Sequence, residues 1–418
     1  MHVAVNVGQA AGLSSLLDNL ETYPARGRII PACVIRPPSD GAVVAQPGFA
    51  YAVDRQEFEI RRGRIANPSA FFWTDCQTVL QPFVVEYMQV SSRDGSMAAA
   101  PGPDDFGPAP PALDCWYLTG PTAAGKTSVG LELAQLLHAE IISLDSMAVY
   151  RGMDIGTAKP APAQQRAVPH HLIDILDPDQ EFSVSNYVEA AHQKIAEIHC
   201  AGREVLFVGG TPMYLKAMLR GIYQGPPADW QFRREVEEEA RRVGIETLHD
   251  RLALVDPLSA AKLHKHDVRR IIRALEVYKI TGAPISHQQL QFEDGVPGDR
   301  CRVFVLGWPR AVLHRRIDAR VEWMFTAGLV DEVRGPLDRF GVLGRTASQA
   351  VGYREAIAYV QGDLSRDEAV RRVRVRTHQF ARRQETWFRS LSECRRIEQD
   401  EHVRAAEVAR RLVELGRK

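Results

Sequence analysis

The chain has 418 residues, with 52 lysines and arginines balanced by 52 aspartates and glutamates, 45% hydrophobic and 25% charged side chains. This length exceeds one ordinary core and predicts two to three domains, and the zero net charge excludes a nucleic acid held by the overall field, leaving only a local basic patch. No apolar run approaches the roughly 20 residues of a membrane span, and the six cysteines (33, 76, 115, 200, 301, 394) contain no C-x-x-C, against both zinc and a disulfide framework and in keeping with a reducing cytoplasm.

Residues 1–112 alternate short apolar runs with Pro- and Gly-rich pieces and show no sustained period. Two readings compete: a small appended β-rich module, or a disordered leader with translation starting at Met97. The second is favoured, because no motif or periodic element commits the segment to a fold. A chain lacking residues 1–96 is then expected to keep its activity. Met97–Pro111 (MAAAPGPDDFGPAPP) has the composition of an extended, mobile linker.

From Leu113 the chain alternates apolar runs and helical stretches, the pattern of a parallel α/β sheet. The run Cys115–Leu118 (CWYL) leads into GPTAAGKT, and Thr127–Leu137 follows with helical spacing. Strand, glycine turn and helix start in that order bring backbone N–H groups to one anion, with Lys126 as point charge and the Thr127 hydroxyl as a Mg²⁺ ligand. Glu140–Leu144 reads as a strand that delivers Asp145. His170–Leu176 is another strand, Ser185–His199 a helix capped by Ser185, and Glu204–Val208 a buried strand running into Gly209, Gly210 and Thr211. Residues 229–280 read as charged helices with turns at Gly244 and Pro257, so 226–300 is a helical insertion. Val303–Gly307 resumes the sheet, and helices including Arg310–Arg334 and Arg366–Leu391 run to the end. The predicted fold is α/β: a P-loop NTPase-like core (113–225 and 301–400) with a parallel sheet flanked by helices, an all-helical insertion, and a C-terminal helix or tail at 401–418.

Asp145 stands where open α/β sheets bind ligands, either taking a proton or holding Mg²⁺; a turn or cap role is the ordinary alternative. Thr211 follows glycines that admit a ligand, or caps the next helix. The strand Glu204–Val208 lacks the terminal carboxylate that places Mg²⁺ in many nucleotide kinases, which weakens an ATP reading. Between Arg371 and Arg389 the arginines 371, 372, 374, 376, 382, 383 and 389 face one acid, Glu385, with Phe380, Trp387 and Phe388 interleaved. Such a face suits phosphates and unstacked bases, or is a solvated helix side; a second basic cluster spans Lys262–Arg273.

The stretches GPTAAGKT, LDSMAVYRGMDIGTAKP (144–160), HHLIDILDP (170–178), VGGTPMYLKA (208–217), RRIIRALEVYKITG (269–282), FTAGLVDEV (325–333), QAVGYRE (349–355) and RRQETWFR (382–389) together resemble the bacterial tRNA dimethylallyltransferases, in family order from about Leu113 to Leu391. The resemblance implies transfer of the dimethylallyl group of dimethylallyl diphosphate to N6 of the adenine just 3′ of the anticodon, in tRNAs reading U-starting codons, with Mg²⁺. By the same resemblance Asp145, Thr211 and Arg320 are catalytic. Gly120, Pro121, Thr122, Ala123, Ala124, Gly125, Lys126 and Thr127 hold the diphosphate, and Thr127 the metal. The tRNA contacts carried over are Asp145, Ser146, Met147, Ala148, Arg233, Arg269, Arg270, Ile271, Ile272, Arg273, Arg382, Arg383, Gln384, Glu385, Thr386, Trp387, Phe388 and Arg389. Expected partners are the tRNA anticodon stem-loop and dimethylallyl diphosphate, with no membrane, for a cytoplasmic monomer. Rival readings are an ATP-dependent small-molecule kinase and a non-catalytic RNA-binding module.

Overall fold

The computed structural model describes residues 30–36, 44–50, 107–289, 292 and 295–417. The chain divides into two units, 1–98 and 99–418. In the first, β1 (Ile30–Arg36) and β2 (Val44–Ala50) pair antiparallel, with Ile30 opposite Ala50. The expected disordered or untranslated leader otherwise falls on residues outside those described.

In the second unit, β3 (Pro108–Ala109), β4 (Trp116–Thr119), α1 (Lys126–Leu137), β5 (Ala139–Leu144), α2 (Pro162–Ala167), β6 (His170–His171), α3 (Val184–Cys200), β7 (Glu204–Gly209), α4 (Pro212–Arg220) and β8 (Ile222–Tyr223) come first. The helices α5 (Trp230–Val243), α6 (Ile245–Val255), α7 (Pro257–Lys262), α8 (Val268–Thr281) and α9 (Ile285–Gln288) follow. The chain then forms β9 (Val303–Gly307), α10 (Arg310–Thr326), α11 (Leu329–Phe340), α12 (Tyr353–Val360), α13 (Arg366–Arg389), β10 (Cys394–Glu398) and α14 (Ala405–Gly416).

Six strands make the expected parallel sheet, in the order β10-β9-β4-β7-β5-β6. Their side chains alternate between two cores. Trp116, Leu118, Leu206, Phe304 and Leu306 pack with α1, α10, α13 and α14 on one face, whereas Tyr117, Val205, Phe207, Val303 and Val305 pack with α3 and α4 on the other. Burial on both faces is why these strands read as continuous apolar runs. The chain leaves β4 toward β5 and returns through β7 to β4's side, then crosses to β9. The crevice at the carboxyl end of β4 and β7 is therefore the switch point where such sheets bind ligands. The helical insertion has its own core of Phe232, Val236, Leu248, Leu252, Ile271, Ile272 and Leu275.

Several sequence expectations need correction. The linker expected up to Pro111 is partly in the fold: Pro108 and Ala109 pair with Tyr223 and Ile222, and the Ala112 N–H donates to Met218 O at 2.7 Å, so the folded core starts before Leu113. The strand expected over 170–176 stops at His171, because Leu172 (φ 58°) and Asp174 (φ 56°) are left-handed. Ser183, not Ser185, caps α3, accepting the Asn186 N–H at 3.1 Å. The helix expected over 310–334 breaks at Gly328 (φ 106°). The all-helical C-terminus contains an edge strand, β10, and α14 buries Val408, Ala409 and Leu412 in the sheet's core.

Candidate active site

Strand β4 ends at Thr119, and the chain turns into α1 through left-handed positions at Gly120, Ala123 (φ 63°) and Gly125 (φ 90°). Helix α1 starts without a side-chain cap and without an acid in its first turn, so its first N–H groups and positive end are left for an anion. The loop carbonyls are held by the protein. Lys126 Nζ donates to Gly120 O (3.0 Å) and Pro121 O (2.8 Å), Arg316 Nε to Ala123 O (2.8 Å), and Trp308 Nε1 to Ala124 O (2.9 Å). Arg316 also lies over the Trp308 ring, 4.6 Å from its centroid. Tying the carbonyls back leaves the amides to form a concave anion nest.

Arg320, one turn beyond Arg316 on α10, donates from Nη1 to Thr122 Oγ1 at 3.0 Å. Asp145 follows β5, and its Oδ1 accepts the Met147 N–H at 2.9 Å. The turn role of this aspartate thus occupies one oxygen, and Oδ2 has no hydrogen bond among the described residues. The carboxylate lies close enough to Lys126 and Arg320 to favour their charged forms. Burial pushes the Lys126 ammonium down to about 8, with Asp145 opposing the shift and Arg320 adding to it. Burial also lowers the Arg320 guanidinium, again against Asp145. Thr211 does not cap α4. Its hydroxyl accepts the Ser146 N–H at 3.0 Å and donates to Ser146 Oγ at 3.3 Å, fastening the turn after Asp145 to the turn after β7.

A second carboxylate explains most of the DIGTAKP element. Glu332 Oε2 accepts the N–H groups of Asp154 (2.8 Å) and Ile155 (2.6 Å), and Oε1 accepts those of Gly156 (3.0 Å) and the Tyr353 hydroxyl. A Cβ on Gly156 would lie 2.3 Å from the Tyr353 ring, so glycine is required there. Lys159, its side chain 2% exposed, donates to Tyr150 O (2.6 Å), Asp154 Oδ1 (2.7 Å) and Asp174 Oδ1 (2.5 Å). Three distant motifs thereby close into one platform after β5. Glu332, Tyr353 and Lys159 escaped the sequence reading as site residues, although each sits inside a motif it quoted.

The basic face of α13 is divided. Arg371 and Arg372 pair with Glu368, Arg374 with Glu322 and Arg376 with Glu355. Arg382, Arg383 and Arg389 are exposed and have no carboxylate partner among the described residues; Thr386 is exposed and Trp387 half-buried beside them. Glu385 leans toward Arg396 at 3.8 Å. Four of the carried-over RNA contacts are buried: Ile271 and Ile272 in the insertion core, Phe388 in one core of the sheet, and Ala148 in the turn after β5. Gln384 is buried as well and turns to the phosphate loop, where Oε1 accepts the Thr122 N–H at 2.8 Å. Arg233 and Arg273 close on Glu276, which is fully buried, Arg233 through two bonds of 2.8 and 2.7 Å and Arg273 through one of 2.6 Å. Arg269 and Arg270 remain exposed, with Arg269 reaching Gln349 at 3.5 Å and Arg270 pairing with Asp267 at 3.2 Å.

Comparison with known proteins places this arrangement. The IPP transferase family model matches residues 148–391, more than half of the chain. The chain belongs to the IPP transferase family. It is 52% identical over 290 residues to a tRNA dimethylallyltransferase of Rhodopirellula baltica, covering 68% of this chain and 87% of that protein. With that of Syntrophobacter fumaroxidans it shares 43% over 328 residues, 78% and 94% of the two chains. Among solved structures, the tRNA isopentenylpyrophosphate transferase of Bacillus halodurans is 36% identical with a TM-score of 0.53, over 73% of this chain and 97% of that one. A eukaryotic dimethylallyltransferase described as acting on tRNA shares the fold, at 23% identity and a TM-score of 0.57 over 69% of this chain and 74% of that one. The family model itself begins at residue 148, after the phosphate loop and Asp145, whereas the match to the Syntrophobacter fumaroxidans protein is long enough to span both.

Proposed function

We propose that this IPP transferase family member moves the dimethylallyl group of dimethylallyl diphosphate to N6 of the adenine just 3′ of the anticodon in tRNAs reading U-starting codons. The single observation that carries the reading is the convergence of one carboxylate, Asp145, with two cations, Lys126 and Arg320, at an anion nest on the sheet's switch point. A base and a leaving-group site are thus side by side. The N6 nitrogen attacks C1 of the donor, the C1–O bond breaks with its electron pair going to diphosphate, and the free oxygen of Asp145 takes the proton from N6. Lys126, Arg320 and the first N–H groups of α1 receive the charge that develops on the diphosphate oxygens. The target base is unpaired in an anticodon loop, so bringing it out of the stack costs little. Exposed Arg382, Arg383 and Arg389 supply cations for the RNA backbone.

Mg²⁺ fits this donor set only as an ion shared with the diphosphate. Among the described residues no group of three His, Cys, Asp or Glu side chains could hold a metal, and a Thr127 hydroxyl with phosphate oxygens and water is an ordinary magnesium arrangement. When bound, the ion neutralises negative charge on the diphosphate.

The absence of a carboxylate after β7, where Gly209, Gly210 and Thr211 stand, supports a prenyl diphosphate over ATP. The test is incubation with unmodified tRNA and dimethylallyl diphosphate, followed by mass spectrometry of the nucleosides. Prenylated adenosine is expected. Turnover of ATP on a small molecule without that product would establish a kinase, and RNA binding with neither activity a non-catalytic module.

A further inference from the structure

We propose that Gln384 is a positioning residue that couples the RNA-facing end of α13 to the phosphate loop, so that each substrate tightens the site for the other. The inference rests on the function proposed above. One turn of α13 presents Arg382 and Arg383 to solvent and Gln384, 3% exposed, to the interior. The Gln384 amide joins two loops that the chain brings together from far apart. Its Oε1 accepts the Thr122 N–H at 2.8 Å, and its Nε2 donates to Gly210 O at 2.6 Å. An amide has its acceptor at one end and its donors at the other, so rotating it breaks both bonds at once.

Both partners adjoin the leaving-group site. Thr122 receives Arg320 on its hydroxyl while Gln384 takes its N–H. A Cβ on Gly210 would lie 2.7 Å from Gln384 Nε2, 3.2 Å from Gly120 O and 3.4 Å from Lys126 Nζ, which shows how closely the helix, the loop and the lysine meet. The middle of α13 is anchored to its neighbours by Arg374, paired with Glu322 of α10, and Arg376, paired with Glu355 of α12, whereas Arg371 and Arg372 pair with Glu368 of α13 itself. Among the described residues, three exposed arginines without a carboxylate partner, Arg382, Arg383 and Arg389, cluster at the end that carries Gln384, while Arg366 at the opposite end lies over the Phe325 ring. A phosphate backbone docking there loads the helix where it touches the phosphate loop, and the loop's amides move with Thr122. By linkage, an anion that fixes the loop must favour the RNA by the same factor.

The test measures binding of inorganic diphosphate with Mg²⁺, with and without an anticodon stem-loop RNA, to the wild-type chain, Gln384→Met and Gln384→Glu. Methionine keeps the volume and removes both bonds; glutamate keeps the acceptor for Thr122 and repels Gly210 O. The RNA is expected to tighten diphosphate binding of the wild type about tenfold, and both variants to lose that factor while still binding each ligand alone. At saturating RNA the KM for dimethylallyl diphosphate should rise by a similar factor with a smaller change in kcat, a split that general loosening of the fold would not give. Undiminished coupling in either folded variant, or no coupling in the wild type, overturns the proposal. Should neither variant fold, amide exchange at Thr122 of the wild type decides: it should slow when RNA alone is added, and an unchanged rate overturns the proposal. Coupling without prenyl transfer would refute the function proposed above and leave this inference standing; transfer without coupling would do the reverse.

Discussion

At the carboxyl edge of the sheet, Arg316 and Arg320 donate to uncharged groups of the phosphate loop, the Ala123 carbonyl and the Thr122 hydroxyl. In the helical insertion, Arg233 and Arg273 close on the buried carboxylate of Glu276, which also accepts the Asp229 N–H at 2.7 Å. The residue type is the same in both places, and in sequence both sets sit in charged helices. The difference lies opposite them. A buried cation that meets a carboxylate is neutral and structural, whereas one that meets only carbonyls and hydroxyls keeps its charge for a ligand. The Lys126 ammonium is depressed chiefly by its burial at the sheet edge, with Asp145 opposing the shift and Arg320 adding to it.

The largest expected effect tests whether the one carboxylate at that edge acts on chemistry and not on charge balance. Asp145→Asn should lower turnover about a thousandfold while RNA affinity stays near the wild-type value, measured by single-turnover kinetics beside filter binding. Equal losses in both would mean that Asp145 serves chiefly to hold the site together. For the insertion, Glu276→Ala leaves two guanidinium groups and an N–H without their acceptor. It should destabilise the insertion by about 2–3 kcal/mol after allowing for the part exposure of both arginines, read from hydrogen exchange in the insertion helices. A cost below about 0.5 kcal/mol would place Glu276 with ordinary surface groups.

Acidity gives a smaller, directional test. Lys126 has its proton below about pH 8 in the folded chain, against an ordinary value of 10.5, so the cation disappears as pH rises through 8. Affinity for inorganic diphosphate without RNA should fall, approaching tenfold per pH unit above about 8, and Lys126→Arg should remove the inflection. The same group makes folding slightly more favourable as pH rises from 8 toward 10.5, because the unfolded chain then binds more protons. A diphosphate affinity flat to pH 9.5 would contradict the buried setting of this lysine. The smallest effect separates the two arginine classes directly. Arg383→Ala should reduce the slope of log RNA affinity against log salt by about 0.7 to 1, whereas Arg233→Ala should leave that slope in place and loosen the insertion instead. A matching slope change for Arg233 would give the insertion a phosphate contact after all.

Much of the fold was legible because local physics dominates there. Strand β9 was read to the residue, and β4, β5 and β7 to within one or two, since both faces are buried and the apolar runs are continuous. Strand β10 was missed for the opposite reason. Its sequence, CRRIE, carries charge on an edge strand that pairs on one side only, so neither hydrophobic run nor alternation marks it. The linker boundary failed because Pro108 and Ala109 gain their order from β8, more than a hundred residues away.

What the sequence determined by itself is the anion nest and its neighbours: the glycines, Lys126 and Thr127 of the loop, and the turns carrying Asp145 and Thr211, all coded by short contiguous stretches whose backbone geometry is local. Only the tertiary structure decided which cations stay free. Arg382 and Gln384 are two residues apart, yet one faces solvent and the other holds the phosphate loop, and Arg233 lies within a charged helix, as the α13 arginines do, but is neutralised by Glu276. The reason is physical. A side chain's role depends on what lies across from it, and those partners arrive from sequence separations of tens to hundreds of residues that no local pattern records.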